Sequence, residues 1–211
     1  MYFQSDYIMR MIESLHTFFL NLLTLPLEAM HGAELDRFLL KHCGIDLAAL
    51  DRISVESLTE TLPITPRMLL SEFLHLRADN MPMPDDEREA CLTKSFRLLL
   101  SIGDEPFICK LQLERFLSLY YQTDPFLSAV DYAAAFRFAV NADAYATAED
   151  ILFFGLHTTW KNDTKMLLSE GLQGFSSLLS YPDNTLESGG LPRTEVLETI
   201  SELKQQLGVF T

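Results

Sequence analysis

Cysteine and basic residues are both scarce in this chain of 211 residues. Its three cysteines, Cys43, Cys91 and Cys109, are odd in number, and their wide spacing matches neither a zinc site nor a disulfide framework. Only 16 Lys and Arg face 30 Asp and Glu, which leaves a net charge of −14. A surface of that sign repels phosphate backbones and anionic lipids, so we expect neither nucleic-acid nor membrane binding.

The short motifs that usually accompany catalysis are also missing. The sequence has no glycine-rich phosphate loop and no Cys-x-x-Cys pair. Gly174-Phe175-Ser176 lacks the second glycine of a nucleophile elbow, and adjacent His42 and Cys43 point apart on a helix. The acidic runs at 85–87 and 149–150 lack the spacing of a calcium loop. These absences favour a protein that is not an enzyme.

No apolar run is long and uncharged enough for a membrane span or an export signal. Arg10 and Glu13 interrupt the most apolar stretch, Asp6–Pro26, and no small-residue cleavage site follows it. Its polar residues recur every three or four positions, which predicts a core helix. We therefore expect a cytoplasmic protein with three reduced, buried thiols. Tyr2-Phe3-Gln4-Ser5 resembles a protease-cleavage scar but is interpreted as native, since the usual upstream residues are missing.

Apolar residues at helical spacing are abundant and make up 48% of the chain. No stretch alternates strictly enough to predict a strand. Proline and glycine clusters separate the helical segments, and the short connections make successive helices antiparallel neighbours. The sequence therefore predicts an all-α fold, an irregular array of about ten antiparallel helices.

The domain organisation is predicted as one helical domain over residues 1–211. A seam near 81–86, at Met-Pro-Met-Pro, would divide an N-terminal bundle (1–80) from C-terminal helical hairpins (87–211). Helix pairs recurring at roughly 35–40 residues also suggest tetratricopeptide-like hairpins in the C-terminal part. That signature is weak, because Trp160 falls near a helix end and the small residues around Ala133–Ala135 occur once. Those alanines predict one closely approached helix face.

Three details of the C-terminal half are predicted from local sequence patterns. One long helix is expected over about Glu105–Gln122, and the breakers between 181 and 193 predict a turn. On the last helix, Thr199 is expected to face solvent and Leu197 to face the core, together with Val196, Ile200, Leu203 and Leu207.

Three stretches resemble a known family. They are SDYIMRMIESLHTFFLNLL near the start, AEDILFFGL at 148–156, and GLQGFSSLLSYPDNTLESGGLPRTEVLETISELKQQLG at 171–208. The chain resembles domain of unknown function family 6483, a group of proteins from clostridial and related Gram-positive bacteria. The resemblance spans nearly the whole chain and implies a cytoplasmic all-helical protein. It brings no catalytic or ligand-binding residue with it.

Glutamate and histidine recur at a spacing that helical metal sites use. Three Glu-x-x-His pairs are present, more than chance predicts, and di-iron and di-manganese bundles use this spacing twice. The candidate metal ligands are Glu13, His16, Glu28, His31, Glu72 and His75. However, Glu72 and His75 share the polar side of their helix, which favours solvent-exposed pairs.

Aromatic residues are unusually frequent, with fifteen Phe and seven Tyr. Adjacent residues cannot both face inward on a helix, so one ring of Tyr120-Tyr121 and one ring of Phe153-Phe154 should meet another helix, a second subunit or a partner. These four residues form the candidate interaction surface, although plain core packing remains an alternative.

The favoured function is therefore a non-enzymatic helical module that binds a protein partner or associates with itself as a homodimeric scaffold. A metal-dependent helical-bundle enzyme built on the Glu-x-x-His pairs is the first alternative, and an apolar ligand bound between helices is the second. No cofactor is expected under the favoured interpretation, and a metal ion is expected under the first alternative.

Overall fold

The computed structural model describes residues 31–123 and 127–208 and positions 10, 12–14 and 17, apart from the side chains at 31, 32, 161 and 162. Every regular element in these residues is an α-helix, which confirms the all-α prediction. Most of the predicted core helix Asp6–Pro26 lies outside the described residues. The helices are α1 (His31–Cys43), α2 (Leu47–Arg52), α3 (Val55–Thr61), α4 (Ile64–Asn80), α5 (Asp85–Leu100), α6 (Pro106–Leu111), α7 (Leu113–Thr123), α8 (Ala129–Asn141), α9 (Tyr145–Thr158), α10 (Lys161–Leu178), α11 (Asp183–Ser188) and α12 (Arg193–Gly208).

Several helices begin where the sequence supplies a capping side chain. Ser128 starts α8 with a capping box, since its hydroxyl accepts from the Asp131 N–H and the Asp131 carboxylate accepts from the Ser128 N–H. Asp46 accepts from the Ala49 N–H at the start of α2. These contacts satisfy N–H groups that have no partner inside the helix.

The described residues up to Ile102, with Ser118–Thr123, form one compact unit (unit 1) in which α4 packs against α5. Ser71 and Ser95 are fully buried at this contact, and each hydroxyl donates to the other residue's carbonyl, at 2.7 and 2.6 Å. Two small polar side chains thus join the helices and leave neither buried hydroxyl without a partner.

Helix α4 is buried more completely than its sequence predicts. Residues 68–74 are all buried, and Glu72 is only 4% exposed. The prediction that Glu72 lies on a solvent-facing side is therefore wrong. Periodicity locates a polar side only for a helix with one face in water, and this stretch of α4 has no such face.

Gly103–Leu117 and the described residues beyond position 124 form a second compact unit (unit 2), in which α8 packs against α6, α9 and α10. Ala133, Ala135 and Ala139 of α8 are buried, and the predicted close approach of a neighbouring helix at these alanines stays a prediction. Phe138 of α8 stacks on Phe116 with ring centroids 4.5 Å apart. Small and aromatic side chains along α8 therefore build the core of unit 2.

The turn between α8 and α9 is held by the Lys110 side chain of α6, the Tyr145 side chain of α9 and the backbone of Gly189. Asp143 has a φ of 59°, in the left-handed region, and its carboxylate pairs with the Lys110 ammonium. The Tyr145 hydroxyl donates to Asp143 Oδ1 at 3.1 Å, and the Ala146 N–H donates to the Gly189 carbonyl at 3.1 Å. These bonds fix an otherwise unfavourable backbone conformation at Asp143.

Some predicted boundaries and faces differ from the structure. The helix expected over 105–122 is two helices, which meet at Gln112 without a proline or glycine to mark the break. The breaker-rich segment 181–193 contains the short helix α11. On α12, Thr199 is 4% exposed and Leu197 is 50% exposed, so both predicted orientations are wrong. Thr199 is buried because its hydroxyl has hydrogen-bonding partners, described below.

The chain passes from one unit to the other after Ile102, after Leu117 and after Thr123. Residues 81–84, inside the expected seam, connect α4 to α5 within unit 1. Whether the 211 residues behave as one domain stays a prediction. In the part of the chain that the structure describes, no helix combines the length and the apolarity needed to cross a membrane.

Candidate functional site

The most exposed aromatic side chain of the described residues lies in the short connection between α9 and α10 of unit 2. Trp160 is 87% exposed. Its carbonyl accepts hydrogen bonds from the N–H groups of Asp163 and Thr164, at 2.9 and 3.2 Å, and from the Thr164 hydroxyl at 3.1 Å. The backbone that carries the indole is therefore fixed, while the indole itself is in water.

The residue before Trp160 is fixed as well. The N–H and the hydroxyl of Thr159 both donate to the Gly155 carbonyl, at 3.0 and 2.7 Å. The first of these is the i→i−4 bond that closes the last turn of α9, and the hydroxyl adds a second bond to the same carbonyl. Threonines on both sides of Trp160 thus make the connection rigid through local bonds that the sequence itself supplies.

Phe154 lies one turn before this connection and is 45% exposed. Its ring contacts the buried Tyr132 ring of α8 at a centroid distance of 6.1 Å. Gly155 makes this approach feasible, because a Cβ there would lie 2.8 Å from Tyr132 Cγ. Met166, near the start of α10, is 39% exposed. We call Phe154, Trp160 and Met166, three exposed residues on and beside the connection between α9 and α10, the aromatic corner.

The ionisable residues near the aromatic corner in the sequence include both acidic and basic side chains. His157, Asp163 and Lys165 are all exposed between Phe154 and Met166. The Arg137 guanidinium of α8 pairs with the Glu170 carboxylate of α10 at 2.8 Å. Exposed apolar side chains beside charged groups of both signs are typical of a protein-binding surface with a polar rim.

Comparison with protein families matches residues 2–208 to a family of unknown function, DUF6483. The chain belongs to this family. The resemblance stated from the three sequence stretches is therefore confirmed. No curated protein and no solved structure matches the chain significantly.

Membership of DUF6483 carries no activity with it, so the candidate residues of this member are judged on their positions. Of the predicted interaction residues, Tyr120 is buried and Tyr121 is 74% exposed, both within unit 1. Phe153 is half-buried, beside the exposed Phe154. Each pair therefore has one ring directed more to solvent, while the proposed role in binding stays a prediction.

Sequence reasoning did not include Trp160 and Met166 in the interaction surface. Trp160 lies in a connection, where helical periodicity assigns no face. A signal was available, since the one tryptophan of the chain stands in a threonine-rich stretch between two helices. A large apolar residue outside any amphipathic pattern indicates surface exposure or a tertiary anchor.

The predicted metal ligands are described only in part. His16, Glu28 and the side chain of His31 lie outside the described residues, and Glu13 is exposed. On α4, Glu72 is buried and His75 Nε2 lies 3.3 Å from Asp79 Oδ2. Among the side chains that the structure describes, no group of three His, Cys, Asp or Glu is arranged to hold a metal ion.

The metal hypothesis makes a measurable prediction. A transition metal in a helical bundle needs at least three or four protein ligands, and of the candidate side chains that the structure describes on α4, Glu72 and His75 supply at most two. We expect the purified chain, prepared without chelators, to contain less than one iron, manganese or zinc ion per ten chains by elemental analysis. One ion per chain that is lost in His75→Ala would instead support the metal-dependent alternative.

The three thiols are not placed for surface chemistry. Cys43, Cys91 and Cys109 are buried, as predicted, and none forms a disulfide. Burial raises the pKa of the Cys43 and Cys109 thiols to about 12. A thiol that stays protonated at neutral pH is a weak nucleophile and a weak metal ligand.

Proposed function

We propose that this chain is a non-enzymatic, protein-binding helical module whose aromatic corner is the contact surface. The observation that carries the proposal is the exposure of Trp160 on a backbone fixed by hydrogen bonds on both sides. Tryptophan is the residue most enriched among those that dominate binding energy. A rigid carrier lowers the conformational entropy lost on binding, so the position favours an interaction role.

The net charge of −14 favours a basic protein partner over a second copy of the chain, because two copies repel each other. Salt separates the two cases. Binding to a basic partner weakens as ionic strength rises, whereas repulsion between two acidic copies is screened and self-association strengthens. The dependence of association on salt concentration therefore distinguishes a basic protein partner from the homodimeric scaffold.

Site-specific crosslinking tests the surface directly. Trp160→p-benzoylphenylalanine places a photoreactive group at the corner. The same replacement at Tyr121 places it on the exposed residue of the other predicted interaction pair, in unit 1, so the experiment compares two candidate surfaces. We expect one defined crosslinked protein from position 160 and at least tenfold less of it from position 121. For that purified partner, Trp160→Ala should weaken the Kd about 30-fold, since a central tryptophan contributes about 2 kcal/mol or more.

Self-association is read from the intrinsic fluorescence of the same residue. Trp160 is the one tryptophan of the chain, so the emission reports on the corner alone. A blue shift that grows with protein concentration and with salt would indicate a homodimer through this surface. Equal crosslinking from both positions, or an unchanged Kd in Trp160→Ala, would contradict the proposed surface.

A further inference from the structure

The buried Thr199 hydroxyl of α12 lies between two oxygen atoms from different parts of unit 2. Its Oγ1 is in hydrogen-bond contact with Glu149 Oε1 of α9, and lies 2.9 Å from the Glu195 carbonyl oxygen of its own helix. A hydroxyl carries one hydrogen and a carbonyl carries none. The Thr199 hydroxyl can therefore donate to only one of its two neighbours at a time.

Both contacts are hydrogen bonds in only one protonation state. If Glu149 is protonated, its O–H donates to Thr199 Oγ1, and the Thr199 hydroxyl donates to the Glu195 carbonyl. If Glu149 is ionised, the Thr199 hydroxyl turns to the carboxylate and leaves the carbonyl. The position of one proton thus determines how the hydroxyl is oriented and whether the contact between α9 and α12 carries a charge.

The surroundings of Glu149 also favour the proton. Burial raises the pKa of this carboxyl above its ordinary value near 4.5, with the Thr199 hydroxyl opposing the shift. The neighbouring carboxylates of α12, Glu195 and Glu202, raise the pKa further, as does Asp150 on α9. No described residue of α8 or α10, which also pack against α9, is among the charges acting on it.

We propose that Glu149, Thr199 and the Glu195 carbonyl form a proton-linked latch that holds α12 on α9 when Glu149 is protonated and loosens when it ionises. Ionisation adds a fourth negative charge to the three carboxylates around the contact. The rest of α12 stays packed on α10, so the expected change is a local loosening of the C-terminal helix.

The direction of the pH effect follows from the raised pKa. A carboxyl that holds its proton more tightly in the folded state stabilises the fold below the ordinary glutamate pKa. That stabilisation is lost as pH rises from about 4.5 through the raised value. Most paired carboxylates make the fold more stable as pH rises. Glu149 should instead make it less stable as pH rises, so its contribution to the pH dependence of stability can be recognised by its sign.

Three variants, one of them a control, and one direct titration test the latch. Carbon NMR of the wild-type side chains should show Glu149 titrating above the ordinary glutamate pKa near 4.5. Hydrogen-exchange protection factors of α12 amides should fall severalfold across this titration in the wild type. In Glu149→Gln they should stay constant, because the amide keeps a donor toward Thr199 and cannot ionise.

Glu198→Gln is the matched control, since it removes the same charge from α12 outside the contact, and it should keep the wild-type pH profile. Thr199→Val removes the central hydroxyl and should weaken the pH dependence of α12 protection without abolishing it, because ionisation of Glu149 still adds a charge beside Glu195 and Glu202. A Glu149 carboxyl that titrates at or below the ordinary glutamate pKa near 4.5 overturns the latch, even if a variant fails to fold. A pH profile in Glu149→Gln equal to that of the wild type also overturns it.

Discussion

Gly189→Ala is expected to destabilise the fold by about 3 kcal/mol, the upper end of the range for overpacking. A Cβ at Gly189 would lie 2.6 Å from the Asp143 carbonyl oxygen and 2.7 Å from Tyr145 Cε2, with Tyr145 Cδ2 nearer still. Neither neighbour can move freely. Asp143 is held in its left-handed conformation by Lys110 and Tyr145, and the Tyr145 ring is buried.

Gly208→Ala is the matched control for this prediction. Gly208 ends α12, and a Cβ there would meet nothing within 4 Å. The same chemical change should therefore alter stability by less than about 0.5 kcal/mol. Denaturant unfolding of the two variants beside the wild type measures both values. If Gly189→Ala proves as stable as Gly208→Ala, the packing described at the turn between α8 and α9 is incorrect.

The features that sequence alone predicted are those determined within a few residues of chain. Signals of this local kind occur at Ser54 and Ser128, each of which stands where a helix begins and accepts a hydrogen bond from an N–H three positions later. The three cysteines lie in apolar helical patterns and are buried. Helix type and approximate helix position follow from such local signals, so the all-α class was predictable.

The features that sequence did not predict depend on partners distant in the chain. Thr199 is a polar residue on an amphipathic helix, and its burial depends on Glu149, fifty positions away. Leu197 is exposed although it is apolar, because the buried face of α12 includes Thr199 instead. Periodicity gives the width of a buried face, whereas its exact edge depends on neighbours that no local pattern contains.

The candidate site divides in the same way. Phe154 was predicted because an adjacent pair of rings on a helix must diverge, which is a local argument.

The packing role of Gly189, which lies outside the candidate site, was not predicted. The sequence marks this residue only as one of the chain breakers between 181 and 193. Its backbone is ordinary, with a φ of −82°, and the need for glycine comes from the Tyr145 ring and the Asp143 carbonyl. Steric requirements of this kind become visible only with the tertiary structure.

Phe138→Ala is expected to have the largest effect of any single change considered, about 3–5 kcal/mol. Phe138 is fully buried in α8, and its ring stacks on the fully buried Phe116 ring at 4.5 Å with an interplanar angle of 10°. Removing the ring leaves a cavity between two helices that the stacked partner cannot fill alone. Thermal and denaturant unfolding would both record the loss.

Phe107→Ala is its control, because Phe107 is a phenylalanine of the same unit that is 47% exposed, and its loss should cost less than about 1 kcal/mol.

A double-mutant cycle with Phe116→Leu and Phe138→Leu then separates stacking from burial, since leucine keeps most of the apolar volume. The coupling should be about 0.5–1.5 kcal/mol, as for other stacked aromatic pairs. A coupling near zero, with both single variants destabilised, would mean that the two rings contribute through burial alone. Equal losses in Phe138→Ala and Phe107→Ala would contradict the placement of α8 at the centre of unit 2.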